Sequence, residues 1–174
     1  MDNSECLIIK NGVVTRGDRD ALAVVVPDGV TEIGMYAFSG CASLVEITLP
    51  ESVKRIGDGA FSGCVKLEHF AIPSSVTEIG CGAFYNCTSL KTAFIPKSVQ
   101  TVYDDAFSKC ESVEIYAEGE PTKGFADRTE YLSPSRTYDG ETQEIQHKWN
   151  PLSRPVHTFV SRAEYEDIVR SFDK

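Results

Sequence analysis

The chain has 174 residues, 41% of them hydrophobic and 25% charged, with a formal net charge of -9. This length suits a single domain, and the acidic balance disfavours nucleic acid or an anionic membrane as partner, since both need a basic face to displace counterions. No run approaches the roughly 20 apolar residues of a membrane-spanning helix, and Met1 to Cys6 shows neither the basic start nor the apolar run of a leader. Membrane insertion is therefore not expected and a cytoplasmic location is, with a cell-surface or secreted protein as the alternative if the N-terminus was trimmed.

Residues 1–26 read as an N-terminal hairpin cap. Leu7 to Val14 is LIIKNGVV, and Asn-Gly between two apolar runs is the strongest short hairpin signal, because both residues accept the positive φ of a tight turn. Ala21 to Val26 then carries Val24 and Val26 at alternate positions, the spacing of a half-buried strand. The sheet is expected to begin there.

From Pro27 to Glu118 the chain repeats four times with a period of 23 residues. The units are PDGVTEIGMYAFSGCASLVEITL from Pro27, PESVKRIGDGAFSGCVKLEHFAI from Pro50, PSSVTEIGCGAFYNCTSLKTAFI from Pro73 and PKSVQTVYDDAFSKCESVEIYAE from Pro96. Such a unit cannot bury its own apolar face and must stack on its neighbours, so the chain is a solenoid. In the first unit the columns that become the core are Val30, Ile33, Ala37, Phe38, Cys41, Leu44, Ile47 and Leu49. Leu44 to Leu49 alternates Ile47 and Leu49 with Glu46 and Thr48, which predicts strands pairing in parallel. Ala37-Phe38 and its equivalents predict a short helical turn. Gly40, Gly63 and Asn86 supply a left-handed stop and Lys109 departs from it. Pro27, Pro50, Pro73 and Pro96 end each strand, having no amide hydrogen to pair.

Cys41, Cys64, Cys87 and Cys110 recur at the repeat period and are expected to stack as small buried apolar groups, reduced rather than bridged, because parallel side chains give poor disulfide geometry. The alternative is a metal or redox ladder. Cys6 and Cys81 have no evident partner, which favours a reducing compartment.

The motif V-x-x-I-G-x-x-A-F-x-x-C-x-x-L-x-x-I-x-L-P resembles the leucine-rich repeat of the BspA-like, or Treponema-type, family. The resemblance implies an α/β solenoid, a right-handed coil with a parallel sheet on one side, and a role in binding proteins or cell surfaces, adhesion included. The last unit departs from the motif, with Tyr103 for Gly, Val113 for Leu, and Glu118 and Gly119 for the closing Leu-Pro. A terminal, capping repeat should decay in this way.

Residues 119–174 read as a C-terminal cap. Pro121, Gly124, Pro134, Gly140, Pro151 and Pro155 break the stretch to 155 into loops, while Trp149 to Pro151 and Pro155 to Val160 resemble a segment that closes such domains by adding a strand to the last repeat. Ser161 and Glu164 form a capping box ahead of Tyr165, Ile168, Val169 and Phe172 at helical spacing. This terminal helix is expected to cover the open end of the core, or else to dock a partner or a second copy.

The outward side chains of the sheet define the candidate site, since a coil projects one from every turn in register. One column reads Ala23, Glu46, His69, Thr92 and Ile115, the other Val25, Thr48, Ala71, Phe94 and Ala117. The candidate protein-binding residues are Glu46, Thr48, His69, Ala71, Thr92, Phe94, Ile115 and Ala117, with Phe94 beside Ile115 as anchor. The alternative is that the loops over 119–155 fold back and bury both.

There is no Gly-x-Ser-x-Gly elbow, phosphate-cradling loop or EF-hand loop. His69, His147 and His157 lack zinc-site spacing, and Asp104-Asp105 falls on a surface turn rather than in an enclosed dyad. No cofactor, metal or catalysis is expected. The reading is a non-enzymatic module that binds a protein. The alternative is a structural spacer that forms homodimers through its C-terminal cap, and a hydrolase would need a polar cleft near His147 and His157.

Overall fold

The computed structural model describes residues 7–103, 105–110, 113–118, 158–159 and 161–172. Strands β1 (Leu7–Lys10) and β2 (Val13–Gly17) form the antiparallel hairpin, turned at Asn11 (φ 50°) and Gly12 (φ 77°), as the Asn-Gly pair predicts. In chain order follow β3 (Ala23–Val25), β4 (Glu32–Ile33), β5 (Glu46–Thr48), β6 (Arg55–Ile56), β7 (His69–Ala71), β8 (Glu78–Ile79), β9 (Thr92–Ile95), β10 (Thr101–Val102), β11 (Glu114–Ala117), β12 (Thr158–Phe159) and α1 (Arg162–Phe172).

Each turn of the coil thus carries two strands, and equivalent strands pair in parallel one turn apart. The even-numbered strands build one ladder, β2-β4-β6-β8-β10, on the hairpin. The expected strands build the other side, as the pair β3-β5 and the ladder β7-β9-β11-β12; β5 lies against β7 without sharing a ladder with it. The first of these sides is absent from the sequence reading because two-residue strands show no alternation. Its trace is in the charges: Arg55 bonds to Glu32 at 2.8 Å and Glu78 at 2.9 Å, each one period away.

The third side also stacks by backbone bonds. Phe38 N–H donates to the Ala60 carbonyl at 2.8 Å, Phe61 to Ala83 at 2.7 Å and Phe84 to Ala106 at 2.7 Å. These amides point at the next turn of the coil, so the helical turn expected at Ala37-Phe38 is a chain of tight turns instead, with Ala37 N–H on Gly34 and Cys41 N–H on Phe38. Two left-handed residues per turn bend it. Gly40, Gly63, Asn86 and Lys109 lie at φ 59–75°, so Lys109 keeps the conformation it was expected to lose, and Tyr36, Gly59, Gly82 and Asp105 form a second column at φ 55–59°. Lys109 is helped by its ammonium, 5.0 Å over the Tyr85 ring.

Inside, Phe38, Phe61, Phe84 and Phe107 stack at centroid separations of 5.3, 5.3 and 5.0 Å, with ring planes within 14° of parallel. Phe70 wedges edge-on against Phe84 at 4.7 Å. Beside this stack the thiols of Cys64, Cys87 and Cys110 donate to the Phe38, Phe61 and Phe84 carbonyls at 3.2, 3.2 and 3.0 Å. A cysteine therefore does more than fill an apolar gap: it gives a second hydrogen bond to a carbonyl of the turn below that already accepts an amide of its own turn. Cys41, Cys64 and Cys87 are buried free thiols, while Cys6 lies outside the described residues. Among the described residues no cluster of three or more His, Cys, Asp or Glu could hold a metal.

Two glycines carry different constraints. A Cβ on Gly57 would lie 2.9 Å from both Ile33 O and Met35 N, the backbone of the turn below, whereas Gly40 (φ 72°) has open space around it. Gly57→Ala should destabilise the coil by about 2 kcal/mol or more, since rigid backbone must move. Gly40→Ala should cost about 1 kcal/mol from its left-handed φ alone. Urea unfolding of the two variants checks the order. Burial pushes the Cys64 thiol up to about 12, and Cys87 is pushed up by its hydrogen-bonded neighbour Cys110 and by burial. Because the thiolate is the reactive form, iodoacetamide at pH 8 should leave both unmodified in the folded chain and alkylate both in urea, read by mass spectrometry.

Candidate protein-binding face

The candidate face is the outer side of β3, β5, β7, β9 and β11. Pairing follows the 23-residue period within β3-β5 and β7-β9: Ala23 pairs with Glu46 and Val25 with Thr48, His69 with Thr92 and Ala71 with Phe94. Bonding then shortens by one residue. Glu114 pairs with Thr92, Ile115 with Ala93, Tyr116 with Phe94 and Ala117 with Ile95. Strand side chains alternate, so a slip of one exchanges the faces. Ile115 is consequently buried in the core beside Ala93 rather than exposed beside Phe94, and Tyr116 takes the outward place expected for Ala117.

A second correction concerns Thr92 and Phe94, which are fully buried. The cover found on them is α1; the loops over 119–155, the alternative cover, lie outside the described residues together with His147, Trp149 and His157. Helix α1 is entered by the predicted capping box: Ser161 N–H donates to Glu164 Oε2 at 2.7 Å and Glu164 N–H to Ser161 Oγ at 3.3 Å. Its apolar side does not close the end of the core. It lies on the outside of the sheet, forming a separate cluster of Phe94, Tyr116 and Tyr165 with Ala71, Ile168 and Val169.

Tyr165 is the centre of this contact. Its ring lies 5.2 Å from Phe94 and 5.7 Å from Tyr116, and its hydroxyl is 2.9 Å from Thr92 Oγ1 and donates to the Phe70 carbonyl at 3.3 Å. Thr92 Oγ1 also meets His69 Nδ1 at 2.7 Å, so the buried hydroxyls are satisfied in one network. The helix ends are pinned by Arg162 on Glu51 at 3.1 Å and by Phe172 against the His69 ring at 5.4 Å. It therefore runs back along the strands, from their ends toward their starts. The closing strand precedes it, as β12 adds to β11 in parallel.

What stays open is the β3-β5 half. Ala23, Val25, Glu46 and Thr48 are exposed there, and Leu22 (62%), Val25 (56%) and Val45 (43%) present large aliphatic surface. His69 and Ala71 are half-buried at the border. In later turns the positions of Leu22 and Val45 hold Glu68 and Lys91, which form an ion pair. Sequence reasoning missed Leu22 and Val45 because it followed the two alternating columns and not the residue that enters each strand; the change from aliphatic to charged along that column was the available signal.

Two parallel ladders, a stacked aromatic interior and a capping strand define a leucine-rich-repeat solenoid, a class whose members commonly serve as protein-interaction modules. A BspA type leucine-rich-repeat region matches residues 20–123 in six copies, and the chain belongs to that family. It resembles the T. pallidum leucine-rich repeat protein (31% identity, TM-score 0.50, 60% of this chain and 62% of that one) and a leucine-rich cell surface protein of Faecalibacterium prausnitzii (27%, 0.50, 66% and 37%). A leucine-rich repeat protein of Bacteroides capillosus is 28% identical with TM-score 0.55, over 62% of this chain and 86% of that one. The chain spans less than two thirds of the length of the first two. No curated protein matches it. Among the described residues no helix is long and apolar enough to cross a membrane.

Burial and the hydrogen bond to Glu114 push the Tyr116 phenol up to about 12, and burial raises Tyr165. A folded pKa above the ordinary value of about 10 stabilises the docked helix fully below pH 10, and that contribution is lost as pH rises through 12. Alkaline titration should release α1 between about pH 10 and 12, seen as late tyrosinate absorbance coupled to loss of helical ellipticity.

Proposed function

We propose that the protein is a non-enzymatic recognition module that binds another protein on the open half of its outer sheet face, through Leu22, Val25, Val45, Glu46 and Thr48. The observation that carries this reading is the contrast between the two halves. Where α1 lies, the face is Ala71, Phe94 and Tyr116, sealed by Tyr165. Where it does not, aliphatic side chains of the same sheet stand in solvent, and a contiguous aliphatic patch on a rigid sheet is what a protein partner can desolvate. Thr92, Phe94 and Ile115, expected as contacts, have no part in it. His69 and Ala71 border it.

Repetition of one backbone geometry supports the same reading, because it presents a flat array without any loop needing to be shaped. The likeness to a leucine-rich cell surface protein supports recognition at a cell surface as the setting. The carboxylates on turns act as structural caps, with Asp58 and Asp105 accepting the Cys81 and Gly82 amides at 3.0 and 2.7 Å. They support a scaffold role over a catalytic one.

Val25→Asp and Val45→Asp should leave melting unchanged, since both residues face solvent, and should each weaken capture of the protein retained by the immobilised full chain about tenfold or more. Unchanged capture by both variants would remove the face from the interaction.

A further inference from the structure

We propose that the open half of this face seats one amphipathic helix of the partner protein, laid beside α1 and basic along the flank that meets Glu46. This deepens, and rests on, the reading that the face recognises a protein.

The molecule already shows how this surface is covered. Helix α1 lies along the strands, with an aromatic side chain over one column and an arginine fixed to a carboxylate at the strand ends. It packs over β9, with Tyr165 near its start set between Phe94 of β9 and Tyr116 of β11. Strands are spaced by about 4.8 Å and a helix with side chains is about 10 Å wide, so the next helix along the face falls two strands away, over β5. That is where cover ends. The site has a floor in Val25 and Thr48 and an aliphatic border in Leu22 and Val45. Its wall is α1, whose Phe172 stays 49% exposed while resting on His69.

An extended strand would add at the edge of this sheet beside β3 rather than lie on its face, where β3 and β5 offer side chains and not backbone. The chemistry of the occupant follows from the charges. Glu46 is exposed at the strand start and Asp28 in the turn after β3, while Glu51 is already held by Arg162. An apolar stripe at i, i+3, i+4 and i+7 would meet the valines, with Lys or Arg flanking it toward Glu46.

The test uses the full chain and three synthetic peptides of one length: an amphipathic helix with Lys and Arg flanks, the same stripe with Glu flanks, and a scramble of the first. Amide shift mapping should place the basic helix on Val25, Val45, Thr48 and Phe172, with the Tyr165 and Thr92 signals unmoved. Val25→Asp and Glu46→Lys should each weaken it about tenfold, and Phe172→Ala should weaken it too. Equal binding of the scramble or the acidic peptide, displacement of α1, or indifference to Val25→Asp would overturn the helix. If none of the three binds while capture of the protein partner still depends on Val25, the face recognises protein in another form and only this inference falls.

Discussion

The turns of this coil hydrogen-bond to their neighbours along three sides, broken only where β5 meets β7, and that requirement governs the rest. Inter-turn bonds on the two strand sides and along the Phe38-Phe61-Phe84 side force equivalent residues to lie one above another at strand spacing. The aromatic stack, the thiols on the Phe38, Phe61 and Phe84 carbonyls, and the glycine at 57 that lets its turn sit against the turn below are consequences of that spacing. A residue is acceptable in a column only if the copies above and below it fit as well, so the tolerance of each site is that of its whole column.

The same requirement explains how the coil stops. Losing one residue between Thr92 and Glu114 keeps the backbone bonded while reversing the side chains of the last strand. Ile115 then closes the interior and Tyr116 turns outward to join Phe94 as a seat for Tyr165. A one-residue change in turn length thus converts a uniform face into one with a helix-covered half and an open half.

The division of the face is also a division of polarity. Under α1 the polar groups are few and mutually satisfied through Thr92, Tyr165 and His69, as burial requires. The open half keeps its carboxylate, Glu46, in solvent beside aliphatic side chains. Exposed ion pairs such as Glu68–Lys91 contribute little to stability, so the replacement of that pair by Leu22 and Val45 in the first turns is understandable as a change of surface purpose rather than of scaffold strength.

Much of this was legible in the amino-acid order. The period, the core columns, the Asn-Gly hairpin and the capping box of Ser161 and Glu164 rest on local chemistry or on exact repetition, and repetition makes even long-range neighbours readable, while the closing strand was expected from the family resemblance alone. Three features were not legible for the same reason in each case: they depend on where non-equivalent segments meet. The two-residue strands β4, β6, β8 and β10 take their form from the turns on either side, not from any pattern of their own. The shortened last turn leaves the columns through Val113 intact, and only the bonding of Glu114 to Thr92 reveals it. Helix α1 announces an apolar side in Tyr165, Ile168 and Val169 but not its destination, because an amphipathic helix satisfies its own backbone wherever it docks, and the choice of sheet face over core end was made by Tyr165 reaching Thr92 and Phe70 across the fold.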